Sequence, residues 1–145
     1  MSGHFSGTSG TKSQLIQELK SKNIKFSEKD IQFITKDKTG QTIWLENGNS
    51  NAGLKHIISR HATDFQSKHG VSQSEIKNHL NKVFTSGKVE YSRTTQRNGR
   101  MGYERLYTYN GKHYLLSGVG TNGYIVSAYP LSKSEAAKLI RRYKK

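Results

Sequence analysis

The chain has 145 residues, with 24 Lys and Arg against 10 Asp and Glu, a net charge of +14, and no cysteine. That length suits one hydrophobic core rather than two, and the missing thiols exclude disulfides and cysteine-ligated zinc. No apolar run reaches the roughly 18–20 residues that cross a bilayer, and the basic surplus predicts an anionic partner, nucleic acid ahead of a membrane surface, unless it serves solubility alone.

Residues 1–13 are rich in Gly, Ser and Thr and lack a hydrophobic signal region, so they are predicted to be a disordered linker or added tail. The folded domain is expected over 14–145. Leu15, Ile16 and Leu19 mark a short amphipathic helix. Ile31 to Glu46 reads as a hairpin turning at Lys38-Thr39-Gly40. Ser50 or Asn51 is placed to cap a helix whose apolar stripe is Leu54, Ile57, Ile58, His61 and Phe65. Another helix follows, with Ser72 and Glu75 as its capping box and Ile76, Leu80, Val83 and Phe84 as its buried stripe.

From Lys88 the pattern changes to strands at 89–93, 103–109, 113–119 and 124–128. The turns between them contain Asn98-Gly99, Asn110-Gly111 and Asn122-Gly123, and Asn-Gly between alternating runs is a strong hairpin signal. A basic helix over 132–143, capped by Ser132 and Glu135, closes the chain. The expected fold is α+β: N-terminal helices packed on a four-stranded antiparallel β-meander, with a C-terminal basic helix.

Charge is concentrated in the strand region and beyond. Residues 86–145 carry 12 basic and 3 acidic residues, against 12 and 7 in residues 1–85. Arg93, Arg97, Arg100 and Arg105 interleave with tyrosines, the pairing of guanidinium and ring that single-stranded RNA binding uses, although alternation buries about every second tyrosine in a strand.

The densest chemistry lies in Gly53-Leu54-Lys55-His56-Ile57-Ile58-Ser59-Arg60-His61. RNA carries its own nucleophile in the 2′-hydroxyl. An enzyme has only to supply a base, an acid and cations for the charge at phosphorus. Histidine serves both proton roles, and arginine binds phosphoryl oxygens bidentately. His56, Arg60 and His61 are therefore the candidate catalytic set, with no metal and no cofactor. On an ideal helix His56 and His61 stand about 140° apart. Periodicity thus leaves His61 as either a catalytic group or a hydrogen-bonded residue at the core's edge, and His56 as either catalytic or simply solvated. Of the other histidines, His4 falls in the tail, His69 and His79 read as surface residues, and His113 sits on a strand. The acidic residues Asp30, Asp37, Glu46 and Asp64 show no metal-ligand spacing.

The helix motif, preceded by Trp44-Leu45-Glu46-Asn47-Gly48-Asn49 and followed by Asn122-Gly123-Tyr124-Ile125-Val126-Ser127-Ala128-Tyr129-Pro130, resembles the C-terminal toxin domains of bacterial polymorphic toxins. These include contact-dependent inhibition and LXG-type effectors, and more specifically the barnase–EndoU–colicin–RelE-like ribonuclease superfamily. The resemblance covers about residues 24–130. It implies a helical segment on a four-stranded sheet and cleavage of RNA, usually tRNA, to a 2′,3′-cyclic phosphate. It also implies a monomeric domain secreted within a larger toxin, delivered to the target-cell cytoplasm and neutralised by a cognate immunity protein, acidic if it complements this charge. By position it nominates His56, Arg60 and His61 as catalytic, and Thr121 or Ser127 as a hydroxyl near the phosphate. Lys55, Arg93, Arg105 and Tyr129 complete the expected substrate-binding set. A non-catalytic RNA- or DNA-binding module is the alternative that charge and tyrosines alone would satisfy.

Overall fold

In the computed structural model, which describes residues 11–144, four α-helices and six β-strands are present among the described residues. His4 and most of the predicted linker lie outside them. Helix α1 (Lys12–Ser21) starts before the predicted boundary, because Thr11 and Gln14 form a reciprocal capping box. Its apolar stripe is buried as expected. The surface it meets is the hairpin of β1 (Ile31–Lys36) and β2 (Thr42–Glu46): Ile16 and Leu19 pack with Ile31 and Trp44. The first helix therefore braces the hairpin and not the larger sheet.

Helices α2 (Leu54–His69) and α3 (Ile76–Ser86) cover one face of that sheet, with Ile57, Phe65, Ile76, Leu80, Val83 and Phe84 fully buried. Neither expected cap forms on them. The N-cap of α2 is Gly53, at φ 89°, and its N–H donates to the carbonyl of Val126 in the last strand at 2.9 Å. A Cβ at Gly53 would lie 2.8 Å from the Glu46 carbonyl oxygen. Only glycine permits this conformation and approach, which seat the start of α2 against the sheet edge. Before α3, residues Gln73–Glu75 form a 3₁₀ turn, and the Glu75 N–H donates to the Ser72 backbone carbonyl rather than to its hydroxyl. The capping box read at Ser72 is replaced by this tighter turn.

Strands β3 (Lys88–Arg97), β4 (Arg100–Tyr109), β5 (Lys112–Val119) and β6 (Ile125–Leu131) form an antiparallel meander in chain order. Positive φ at Asn98, Gly99, Asn110 and Gly111 matches the two-residue turns expected there. β6 runs past its predicted end to Leu131 and accommodates Pro130, as an edge strand can. Tyr124, expected as its first residue, instead makes an isolated parallel bridge to Trp44 that ties the hairpin to the sheet edge. Tyr107, Tyr114, Leu116, Ile125 and Ala128 face α2 and α3. Tyr91, Leu106, Leu115 and Leu131 face α4 (Lys133–Tyr143), which packs through Ala136, Leu139 and Ile140 and begins with the expected Ser132–Glu135 box. No described helix is long and apolar enough to cross a membrane.

Candidate active site

His56 and His61 meet despite their separation around α2: their ring centroids are 6.3 Å apart and the rings are nearly perpendicular. The side chains swing toward each other where the helix lies on the edge strand, a freedom the backbone angle alone does not express. Each ring is fixed through the same nitrogen. His56 Nδ1 lies 2.9 Å from the Ser50 carbonyl oxygen, and His61 Nδ1 lies 3.2 Å from Oδ2 of Asp64. Both partners can only accept, so Nδ1 carries the proton in each ring and Nε2 is left for other chemistry. His61 is also stacked on Tyr129 of β6, with centroids 4.8 Å apart and planes at 26°. Its side chain is 21% exposed. It is thus both at the core's edge and open to a ligand, so the two readings of His61 are not exclusive.

Lys55 and Arg60 are exposed on α2, flanking His56 in sequence, and neither makes an ion pair among the described residues. Lys55 and His56 lie in the first turn, where the helix presents its positive end.

On the α4-facing side of the sheet, four polar residues align in register across all four strands. Arg93 pairs with Glu104, Glu104 with Ser117, and Ser117 with Ser127. Tyr129 is two residues beyond Ser127 on the same face, so the Ser127 end of the row lies nearest the histidine pair and Arg93 stands three strands away. Arg93 Nε donates to Glu104 Oε2 at 3.3 Å, while its guanidinium carbon lies 4.0 Å from the ring centre of Tyr143. Tyr91 donates to the same carboxylate oxygen at 2.6 Å; burial, then Glu104, pushes its phenol pKa upward. Ser127 is buried, and its Oγ has no hydrogen-bond partner. A cavity of about 350 Å³ adjoins the row, lined in part by Thr95, Arg100, Glu104 and Ser117.

Two nominated residues stand elsewhere. Arg105, expected on the substrate surface, points to the opposite face of the sheet and is 6% exposed. Its Nη1 donates to Asp37 Oδ2 at 2.7 Å, Nη2 to Gln41 Oε1 at 2.8 Å and Nε to Ser92 Oγ at 2.9 Å. Tyr107 donates to the same Asp37 oxygen at 2.6 Å. These bonds engage all three guanidinium nitrogens, so Arg105 fastens the hairpin to the sheet. Thr121 lies on the β5–β6 loop, where its carbonyl accepts from Gln41 Nε2 at 2.9 Å.

Reasoning from the sequence missed Asp64, Glu104 and Ser117. Asp64 had a usable signal, three residues after His61 on a helix. Glu104 and Ser117 are recognisable only once strand register is known. The histidines read as surface residues also have partners: His79 Nε2 lies 2.6 Å from the Tyr114 hydroxyl, and His69 Nε2 lies 3.0 Å from the His113 carbonyl oxygen. Among the described residues no three His, Asp or Glu side chains are grouped to hold a metal ion.

No protein-family model matches the chain, and no curated protein matches it.

Proposed function

We propose that this domain is a metal-independent endoribonuclease, with tRNA the first substrate to test, acting as the toxic part of a secreted bacterial effector. The observation that carries this reading is the histidine pair: two imidazoles 6.3 Å apart, each held through Nδ1, each with Nε2 free. His56 Nε2 takes the proton from a ribose 2′-hydroxyl as that oxygen bonds to phosphorus. The bond from phosphorus to the 5′-oxygen breaks, and His61 Nε2 delivers a proton to the leaving oxygen. His61 is assigned the donor role because its Nδ1 donates to the carboxylate of Asp64, whereas His56 rests on a neutral carbonyl. The products are a 2′,3′-cyclic phosphate and a 5′-hydroxyl. Lys55 and Arg60 supply positive charge for the phosphoryl oxygens.

The test is incubation of the protein with total tRNA in EDTA, with the fragment ends sequenced. Cyclic-phosphate ends that disappear with His56→Ala support the assignment. An intact, shifted RNA band would instead identify a non-catalytic binding module. The neutralising partner of such a toxin would be an acidic immunity protein covering the histidine face, and its association should slow as salt rises.

A further inference from the structure

A separate cavity, of about 330 Å³, opens where the end of α2, the β4–β5 turn and the start of α4 meet. Lys68 and His69 line it from α2, Lys112 and His113 from β5, and Ser132 and Lys133 from the N-terminus of α4. Lys68 is neutralised by Glu135 at 3.1 Å, but Lys112 and Lys133 are exposed and make no ion pair among the described residues. His69 has its Nε2 against the His113 carbonyl, and its Nδ1 is buried without a hydrogen-bond partner. His113 is held below the ordinary histidine range by burial first and then by the charge of His69 and Lys133, against the opposing pull of Glu90. Two lysines without an ion partner among the described residues, Lys112 and Lys133, thus line one cavity.

The cavity's place is as telling as its charge. Leu131, on its wall, is two residues beyond Tyr129 along β6, about 7 Å. Lys68 is seven residues beyond His61 along α2, about 10 Å. Both lines run down the one seam where α2 lies on β6, so the cavity sits within roughly one or two nucleotides of the histidine pair.

We infer that this cavity is a phosphate subsite that holds the RNA backbone next to the phosphodiester placed at His56 and His61. The inference rests on the ribonuclease reading for its substrate, and the same lysine chemistry would also accept free phosphate. It assigns binding, not proton transfer, to Lys112 and Lys133.

The experiment compares wild type with the double variant Lys112→Gln, Lys133→Gln on a dinucleotide and on a hexanucleotide. The expected result is a KM raised about tenfold on the hexanucleotide with kcat unchanged, and no change on the dinucleotide, which is too short to reach the cavity. Binding of a 2′-O-methyl hexanucleotide, which cannot be cut, should weaken similarly, and its salt slope should fall by about 0.7 for each phosphate that the variant no longer neutralises. Equal effects on both substrate lengths, or none, would overturn the subsite. NMR signals of the His69 and His113 rings separate the possible ligands. Shifts with the hexanucleotide support the inference even if wild type proves unable to cleave, which would sink only the catalytic reading. Shifts with inorganic phosphate but not with the hexanucleotide would reduce the cavity to an ion site and overturn its role toward RNA.

Discussion

The imidazole of His61 stacks on the phenol ring of Tyr129 at 4.8 Å, joining the middle of α2 to the edge strand of the meander. Asp64 holds the same imidazole from the helix side. His61 is therefore held by groups from two elements, and His56 is brought beside it by a helix start that is docked on β6 through Gly53. The pair depends on the seam between α2 and β6, and its predicted behaviour follows from that.

His56→Ala should lower the cleavage rate by about 10²–10⁴ while circular dichroism stays unchanged, because the residue is half-buried and bonded only to a loop carbonyl. His61→Ala should lose activity to a similar extent. It should also cost about 1 kcal/mol of stability, because the ring stacked on Tyr129 is removed. Cleavage assays and thermal melts on the two variants check both numbers, and an active, destabilised His61→Ala would make that residue purely structural.

Asp64→Asn keeps the shape and a hydrogen-bonding oxygen but removes the charge behind His61. Its expected effect is a kcat reduced by about tenfold, with KM little changed and an altered pH–rate profile. Asp64→Glu should recover part of the rate. A kcat and pH profile like those of wild type in Asp64→Asn would remove Asp64 from any positioning role.

Arg105→Met leaves the Asp37 carboxylate buried with Tyr107 as a remaining partner, and a buried charge stripped of its ion partner costs about 3–5 kcal/mol. The double variant Asp37→Leu, Arg105→Met should be less destabilised than Arg105→Met alone. Urea denaturation measures both. If Arg105 instead served the substrate directly, its removal would raise KM at unchanged stability.

His79 is held below the ordinary histidine value of 6.5, by burial first and then by the charge of His69, Lys82 and Lys112. Its Nε2 lies 2.6 Å from the Tyr114 hydroxyl, whose pKa burial pushes up to about 12. A histidine with a depressed folded pKa binds fewer protons than in the unfolded chain, so stability rises with pH in that interval. The contribution is complete above pH 6.5 and is lost as pH falls from there through the folded value. His113 shifts the same way. Melting temperature should therefore drop between about pH 7 and 5, and less steeply in His79→Gln. An identical slope in that variant would show that His79 has no part in the acid sensitivity.

Local chemistry made much of the architecture legible. Asn98-Gly99 and Asn110-Gly111 adopt the left-handed backbone that two-residue hairpins need, so they announce the meander without reference to the rest of the chain. The Ser132–Glu135 box and the Ile76, Leu80, Val83, Phe84 stripe are equally local. The caps misread at Ser50 and Asn51 fail for a tertiary reason, and the one at Ser72 for a local one. The start of α2 is set by where Gly53 meets Val126, and a tight turn takes over the backbone bonding before α3.

By itself the sequence determined the order of helices and strands, the basic charge and the presence of two histidines and an arginine on one helix, because those follow from residue type and short-range periodicity. Only the tertiary structure decided that His56 and His61 meet across about 140° of helix, that Arg93 and Ser127 share one polar row, and that Arg105 turns inward to Asp37. Those outcomes depend on strand register and on how α2 and the hairpin dock. Both are set by contacts between residues far apart in the chain, which side-chain spacing along a single element does not encode.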